Sequence, residues 1–590
     1  MPAFFRSITT AFCVLGSTLL AQDAADAVAP EAATALGGAM VAGLEQQYQS
    51  KQMGQPVEGQ NWMVVAAHPL AVEAGGSVLA VGGTAADAMV AVQAVLGLVE
   101  PQSSGLGGGA FLVWYDGESG EITTLDGRET APLSATPRML LRDDGEPFKF
   151  FEAVVGGLSV GVPGTPMLME EAHKRWGKSH WRGLFDEAIV LADEGFAVSP
   201  RMAGSVERDA ARLAMHPTTA AYFLPDGMPV QAGQTLVNQA YGESLKMLAN
   251  QGAAPFYSGE IADDIVAAVQ NAPRAGHLQQ IDLALYQVKE RPAVCADYRG
   301  YDVCGMGPPS SGALAVGQIL GLLSPFDMTG LGAENPHTWR LIGDATRLAF
   351  ADRGRYVADS DFVPVPVEGM LARSYLNDRS ELLRRENKLP EVEAGTPEFD
   401  HSLNLADDED RAAPSTSHIS IVDQYGNVLS MTTTIENAFG SRVMTRGFLL
   451  NNELTDFSFR SHRGGIPIAN RVEPGKRPRS SMAPTIVLEN GKPILAIGSP
   501  GGSRIISYVA NTIIAHLDWG MDVQSAVAMP HRINRFGLYD IEEESLAEGL
   551  VEMGFETKVR GLNSGLHVIS IGDTLLGGAD PRREGLAFGG

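Results

Sequence analysis

Stretches of nearly unbroken apolar residues alternate along this chain with loops rich in glycine. The run MVVAAHPLA (63–71) predicts a strand, as do AFLVWYD (110–116) and ITTLDGRETAP (122–132). Between the first two, Gly82-Gly83 breaks the chain and Thr84 with Asp87 forms the pattern of a capping box. The helix predicted to follow, Ala85 to Val99, is apolar on nearly every face, so it belongs between layers of the fold. Pro101 stops it. Residues 180–290 carry mostly helical patterns.

The pattern changes around 385–415. This segment is acidic, contains prolines and lacks periodicity, which predicts an exposed loop or flexible tail. TSHISIVD (416–423), QYGN (424–427) and VLSMTTTI (428–435) then read as strand, tight turn and strand. Further strands are predicted at APTIVLEN (483–490) and PILAIGS (493–499). A glycine pair follows them, then a helix from about Arg504 to Leu517, ended near Gly520.

The N-terminus has its own logic. Arg6, the apolar stretch Ile8 to Leu20 and the small residue Ala21 form the pattern of a secretory signal peptide over 1–21. The apolar stretch is shorter than the ~20 residues a membrane span needs. The mature protein is therefore expected to be exported, periplasmic or extracellular, with no membrane span. Residues 22–60 read as a weakly patterned extension with one helix around Ala39–Tyr48, and order is expected to begin at Met63.

Composition narrows the partners. The chain has 590 residues, 44 Lys+Arg against 70 Asp+Glu, and a net charge of −26. That balance excludes non-specific binding to nucleic acid or to anionic membranes. Three cysteines exclude a four-cysteine zinc site and a disulfide-dense scaffold. A two-residue turn at Arg299-Gly300 would set Cys295 opposite Cys304 in a non-hydrogen-bonded pair, where strands approach most closely. Two readings stay open there: a cross-strand disulfide, or two separate buried thiols.

The chemistry centres on Thr416. If the bond from Ser415 to Thr416 were cut, Thr416 would own both a hydroxyl and a free α-amine. An α-amine has a reference pKa of about 7.7–8, so it can act as general base for its own hydroxyl near neutral pH. Taken alone, Thr-Ser-His is a common tripeptide and Thr416 reads as an ordinary strand residue.

Eight motifs in order change that reading: SSGLGGGAF (103–111), LDGRETAP (125–132), PPSSG (308–312), TSHISIVD, TTTIENAFG (432–440), LLNNELTDFS (449–458), KRPRSSMAPT (476–485) and GSPGGSRII (498–506). With them, the sequence from about Asn61 onward closely resembles the γ-glutamyltranspeptidase (glutathione hydrolase proenzyme) family of N-terminal nucleophile hydrolases. The resemblance implies a four-layer αββα sandwich of the α+β class. It also implies self-cleavage at Ser415–Thr416 into a large chain (61–415) and a small chain (416–590) that stay together as a heterodimer.

The resemblance assigns roles residue by residue. Thr416 would be the nucleophile that carries the γ-glutamyl group as an ester. Thr434 would hydrogen-bond that nucleophile, and the backbone N–H groups of Gly501 and Gly502 would hold the oxyanion. The substrate's α-carboxylate would lie against Arg128, Ser480 and Ser481, and its α-ammonium against Glu436, Glu453 and Asp456. The implied substrates are glutathione or another small γ-glutamyl compound, with water, an amino acid or a peptide as acceptor. No metal or organic cofactor is implied. A related acylase taking glutaryl or cephalosporin side chains is the alternative on the same fold; an unprocessed binding protein is the alternative of another class.

Other features read as structural. His418 shares the strand face of Thr416 and is expected to hydrogen-bond rather than catalyse. The GLGGG stretch (105–109) runs into a strand, not a helix, which rules against nucleotide binding. Gly107 and Gly108 are expected to let the chain pack near the pocket. The segment 457–476 stands where some relatives carry a pocket lid, and it has no tyrosine to cap the site.

Overall fold

The computed structural model describes residues 43–408 and 415–590. The expected signal peptide lies outside the described residues. Two seven-stranded sheets dominate. Their strands are β1 (Val57–Gly59), β2 (Met63–Ala66), β3 (Gly109–Tyr115), β4 (Ile122–Gly127), β5 (Lys289–Arg291), β6 (Ala293–Tyr298) and β7 (Tyr301–Met306). The remainder are β8 (Ser417–Val422), β9 (Val428–Thr434), β10 (Thr485–Glu489), β11 (Lys492–Gly498), β12 (His567–Ile571), β13 (Leu575–Ala579) and β14 (Leu586–Gly589). One sheet has the order β1-β13-β12-β11-β10-β7-β6 and the other β14-β2-β8-β9-β3-β4-β5.

Strand periodicity explains why the two sheets stack. Successive side chains point to opposite faces. On the second sheet Val64, Leu112, Trp114, Ile419, Ile421, Leu429 and Met431 pack with the helices 69–80, 85–99 and 165–176. Their neighbours Met63, Val65, Val113, Val422 and Val428 turn inward and meet Ile486, Leu488, Ala496 and Ile569 of the first sheet. The far face of the first sheet is covered by the helices 312–323, 336–356 and 505–517. The result is four layers, helix–sheet–sheet–helix.

The expected central helix runs Ala85–Val99 with every residue buried. Its capping box is present: the Thr84 hydroxyl accepts from the Asp87 N–H at 3.2 Å, and Asp87 accepts from the Thr84 N–H at 2.9 Å. The hairpin also holds to the expected register, with Cys295 opposite Cys304 and Tyr298 opposite Tyr301. Arg299 and Gly300 both take positive φ, as a tight hairpin turn requires. The two cysteines form a disulfide with their Cα atoms 4.0 Å apart. In unreduced, denatured protein neither position should therefore react with a thiol reagent, and labelling of either one by mass spectrometry would remove the cross-link.

Three expectations need correction. The strand at 63–71 ends at Ala66, because His68 caps a helix over Pro69–Ala80 with proline at its start. The strand-like run hid that helix, since a short apolar stretch fits either element. Order begins before Met63: the helix is at Glu45–Gln52, later than the expected 39–48, and β1 pairs with β13. Lys51 of that helix is buried and donates to the carbonyls of Arg583 at 2.7 Å and Gly585 at 2.5 Å. Finally, the acidic segment is irregular, as expected, but its described part is anchored. Leu389 and Leu405 are buried, and Asp408 pairs with Arg479 at 2.9 Å. Asp407 also pairs, with Arg355 at 2.7 Å, so the acidic composition did not make the described part a free tail.

Candidate active site

Strand pairing builds the site. Ser417 pairs with Thr433, so the same antiparallel register carried one residue outward sets Thr416 opposite Thr434. The two hydroxyls lie 3.3 Å apart. Both also reach back to the carbonyl of Ser415: Thr416 donates to it at 2.6 Å and Thr434 at 3.0 Å. The Thr434 hydroxyl in turn accepts from the backbone N–H of Glu436 at 2.8 Å. Ser415 is itself pinned, its hydroxyl donating to the carbonyl of Gln102 at 2.6 Å. Ser415 and Thr416 are buried, so this peptide bond sits inside the protein with two hydroxyls on its carbonyl.

Gly108 makes that approach of strands and loops feasible. A Cβ there would fall 1.9 Å from the carbonyl oxygen of Thr434, so only glycine fits. Gly107 lies equally close to the backbone of Leu449. Gly108 thus packs beside Thr434 of the pocket wall, and Gly107 against the backbone of Leu449 and Leu450.

One cavity is lined by Arg128, Thr416, Thr434, Glu436, Glu453, Asp456, Ser480, Ser481 and Gly502, with Met482 and Ile505 completing the wall. These are all the expected site residues except Gly501. Gly501 precedes Gly502 at the turn from β11 into a short 3-10 segment, Gly502–Arg504, that feeds the helix Ile505–Leu517. Its φ is +136°. The N–H groups of Gly501 and Gly502 donate to no other group among the described residues. They stand at the N-terminal end of the helical segment, where the helix dipole favours negative charge.

The charged residues are arranged differently from the separation expected of them. Arg128 is buried and forks onto two acids: Nη1 donates to Glu453 Oε1, and Nη2 donates to Asp456 Oδ2 at 2.5 Å. The short helical turn Glu453–Asp456 places both carboxylates on this guanidinium. Arg128 also donates to the carbonyls of Pro478 and Arg479, at 3.2 and 3.1 Å. These bonds tie it to the chain leading to Ser480. Burial raises the Glu453 carboxyl to about 7, with Arg128 pulling it down and Asp456 pushing it up. Glu436 takes a positive φ and accepts from the side chain of Asn452.

His418 behaves as the sequence implies. Its two ring nitrogens meet Thr432 at 2.9 Å and Ser420 at 3.0 Å. Burial holds its pKa well below the usual histidine range, so it is a neutral hydrogen-bonding residue. The segment after Asp456 forms a small exposed hairpin, His462–Arg463 with Ile466–Pro467.

Sequence reasoning missed three supports. Arg353 donates to the hydroxyls of Ser481 at 2.7 Å and Ser311 at 2.8 Å. Arg583 donates to the carbonyl of Thr416 at 3.2 Å. Nothing in their local patterns marks them. Glu129 is the third; it stands beside Arg128 inside a motif already singled out, and its burial was the unread signal.

A family model described as gamma-glutamyltranspeptidase matches residues 71–590. The chain belongs to the gamma-glutamyltranspeptidase family. Its four-layer arrangement is the N-terminal nucleophile hydrolase fold. The glutathione hydrolase proenzyme of Bacillus subtilis (strain 168) is 37% identical over 548 residues, covering 90% of this chain and 92% of that one. The acylase ACY 1 proenzyme of Pseudomonas sp. (strain V22) is 33% identical over 545 residues, covering 90% and 94%. Among solved structures, cephalosporin acylase from Bacillus halodurans superposes with a TM-score of 0.80 at 25% identity, covering 91% of this chain and 97% of that one. Among the described residues no helix is long and apolar enough to cross a membrane.

Proposed function

We propose that this protein is a γ-glutamyltransferase and glutathione hydrolase that acts through Thr416. The observation that carries the reading is the pocket's mixed charge: Arg128 and two serines beside Glu436, Glu453 and Asp456, all around one threonine hydroxyl. A γ-glutamyl group ends in an α-carboxylate and an α-ammonium, and this set offers a partner to each. The Arg128–Glu453–Asp456 cluster pairs internally until the zwitterion inserts, its carboxylate taking Arg128 and its ammonium taking the acids.

In this reading the precursor cuts itself at Ser415–Thr416. The Thr416 hydroxyl adds to the Ser415 carbonyl carbon, the C–N bond breaks, and the nitrogen leaves as the α-amine of Thr416. Water then hydrolyses the resulting ester and frees the hydroxyl. In turnover the α-amine takes the hydroxyl proton as Thr416 Oγ1 attacks the γ-carbonyl of the donor. Gly501 and Gly502 N–H groups hold the oxyanion, and the amine returns the proton to the leaving nitrogen. Water or an amino acid then accepts the γ-glutamyl group. The two fragments form a heterodimer, and the leader at 1–21 directs export.

Gly501→Ala tests the oxyanion role. A Cβ there would lie 2.6 Å from a Tyr508 ring carbon, on a backbone conformation that side chains rarely adopt. Alanine keeps the N–H but can seat its Cβ only by shifting the turn, which aims the donor away from the oxyanion; losing one such donor lowers kcat about 10²–10³-fold. Steady-state kinetics on the processed enzyme should show that fall with the donor KM little changed.

The related acylase reading has a specific weakness. A glutaryl group has no ammonium, so it would leave Glu436, Glu453 and Asp456 facing an apolar chain. Release of p-nitroaniline from γ-glutamyl and glutaryl anilides separates the two readings. We expect kcat/KM to favour the γ-glutamyl compound by at least about 100-fold. Equal or reversed preference would sink the γ-glutamyl assignment.

A further inference from the structure

Glu129 is fully buried directly behind the pocket, and neither of its carboxyl oxygens receives a hydrogen bond from another residue. Its nearest cation is Arg128, whose Nη1 is 3.9 Å from Oε2. That is too far for a hydrogen bond, and the same Nη1 is committed to Glu453 Oε1. The other oxygen of Glu453, Oε2, is also buried without a donor. Both carboxyls crowd the same Arg128 Nη1, Glu453 Oε1 bonded to it and Glu129 Oε2 3.9 Å away.

Among the described residues, no side chain of another residue donates to these acceptors. Tyr257 and Tyr286 are the other titratable groups packed near Glu129, and their rings stack 5.6 Å apart. Tyr257 spends its hydroxyl proton on the carbonyl of Pro163 at 3.0 Å, and Tyr286 on that of Arg128 at 2.9 Å. Asp456 takes the second arm of Arg128. Backbone closes the remaining sides: a Cβ on Gly109 would stand 2.4 Å from Glu129 Oε2, and one on Gly161 would stand 3.0 Å from its Cβ. Two ionised carboxylates in contact in such a place would repel strongly, and each bare oxygen would be left without a partner. One proton between them removes both costs.

We infer that Glu129 shares a single proton with Glu453, and so fixes the charge and aim of the carboxylate pair that meets the substrate's α-ammonium. Glu129 is a positioning residue; it acts through Glu453 and does not touch the reacting atoms. With the proton in place the pair carries one negative charge beside Arg128 instead of two. With Asp456 also bonded to Arg128, the guanidinium then faces two negative charges instead of three, so less repulsion meets the substrate's α-carboxylate. Loss of the proton would add a negative charge where that carboxylate must bind. Burial and the neighbouring Glu453 both push the Glu129 carboxyl well above the usual range; Arg128 and its own backbone N–H oppose this. The pair therefore holds its proton to higher pH than an isolated carboxyl would, and gives it up as pH rises.

This inference rests on the γ-glutamyl reading for its effect on substrate, but the shared proton itself does not. The first measurement is infrared difference spectroscopy of the purified protein near pH 7, wild type minus Glu129→Gln. We expect the carbonyl stretch of a protonated carboxyl in the wild type, lost in Glu129→Gln and lost again in Glu453→Gln. Absence of that band overturns the inference whether or not the protein turns over any γ-glutamyl compound.

The second measurement uses L-γ-glutamyl-p-nitroanilide. Glu129→Ala should raise KM at least tenfold with kcat little changed, and Glu129→Gln, which always donates to Glu453, should restore it to within about threefold. The wild-type KM should climb at alkaline pH, whereas that of Glu129→Gln should climb less. Titrations of the substrate and of the Thr416 amine are common to both enzymes and cancel in the ratio. A Glu129→Gln enzyme as impaired as Glu129→Ala, or a KM–pH curve parallel to wild type, overturns the inference. A wild type inert toward the anilide but showing the infrared band overturns the γ-glutamyl reading instead.

Discussion

Thr416→Ala is expected to run as one uncut chain on a denaturing gel and to release no p-nitroaniline from a γ-glutamyl anilide. The wild type should run as two unequal fragments, the smaller beginning Thr-Ser-His. The expectation follows from the geometry at residues 415 and 416. The Thr416 hydroxyl is 2.6 Å from the Ser415 carbonyl oxygen, and Thr434 holds the same oxygen at 3.0 Å. Removing the hydroxyl removes the group that adds to that carbonyl in the proposed cut. It also removes the atom that would carry the acyl group, so processing and turnover fail together. Thr416→Ser separates the contributions. It keeps the oxygen but loses the methyl that restricts the side-chain rotamer, so it should process and turn over more slowly rather than not at all. Normal cutting in Thr416→Ala would end the mechanism.

Arg128→Ala is expected to leave processing intact and to raise KM for the donor by roughly 30-fold or more. Truncating one partner of a buried, hydrogen-bonded charge pair costs about 2–5 kcal/mol. Two effects add here. The substrate's carboxylate loses its fork, and Glu453 and Asp456 lose the guanidinium that now neutralises them. Glu453 responds by holding a proton to still higher pH, which blunts its attraction for the ammonium. Arg128 spends its hydrogen bonds on Pro478, Arg479, Glu453 and Asp456 and none on Ser415 or Thr416, so the cut should still occur. Arg128→Lys keeps a charge but not the fork onto two acids, and should recover little. An unchanged apparent affinity in Arg128→Ala would reject its carboxylate role; unequal fragments on a gel confirm that the variant folded.

The sequence carried the site more fully than it carried the fold around it. Thr416 and Thr434 were picked out by the resemblance carried by the eight motifs; strand, turn and strand are short-range signals that then put the two on facing strands. Gly108 and Gly501 were legible because clustered glycines mark close backbone approach. The pairing of Arg128 with Glu453 and Asp456 was not legible. The partners are more than 300 residues apart in sequence, and matching each to one end of the substrate said nothing of how they sit without it. Arg353 and Arg583 were hidden for the same reason: they act through long-range hydrogen bonds that leave no local pattern. The helix at 69–80 was missed because its apolar residues continue those of the preceding strand.

The weave of the second sheet has a consequence for the cut protein. Its order, β14-β2-β8-β9-β3-β4-β5, alternates strands from before residue 415 with strands from after residue 416. In the first sheet, β1 and the pair β7-β6 flank four strands from the later part. Once the bond is severed, neither piece owns a complete sheet, and pulling them apart would unzip both. In the proposed maturation the two pieces would be threaded while still one chain, so mixing them after full denaturation should not rebuild an active enzyme.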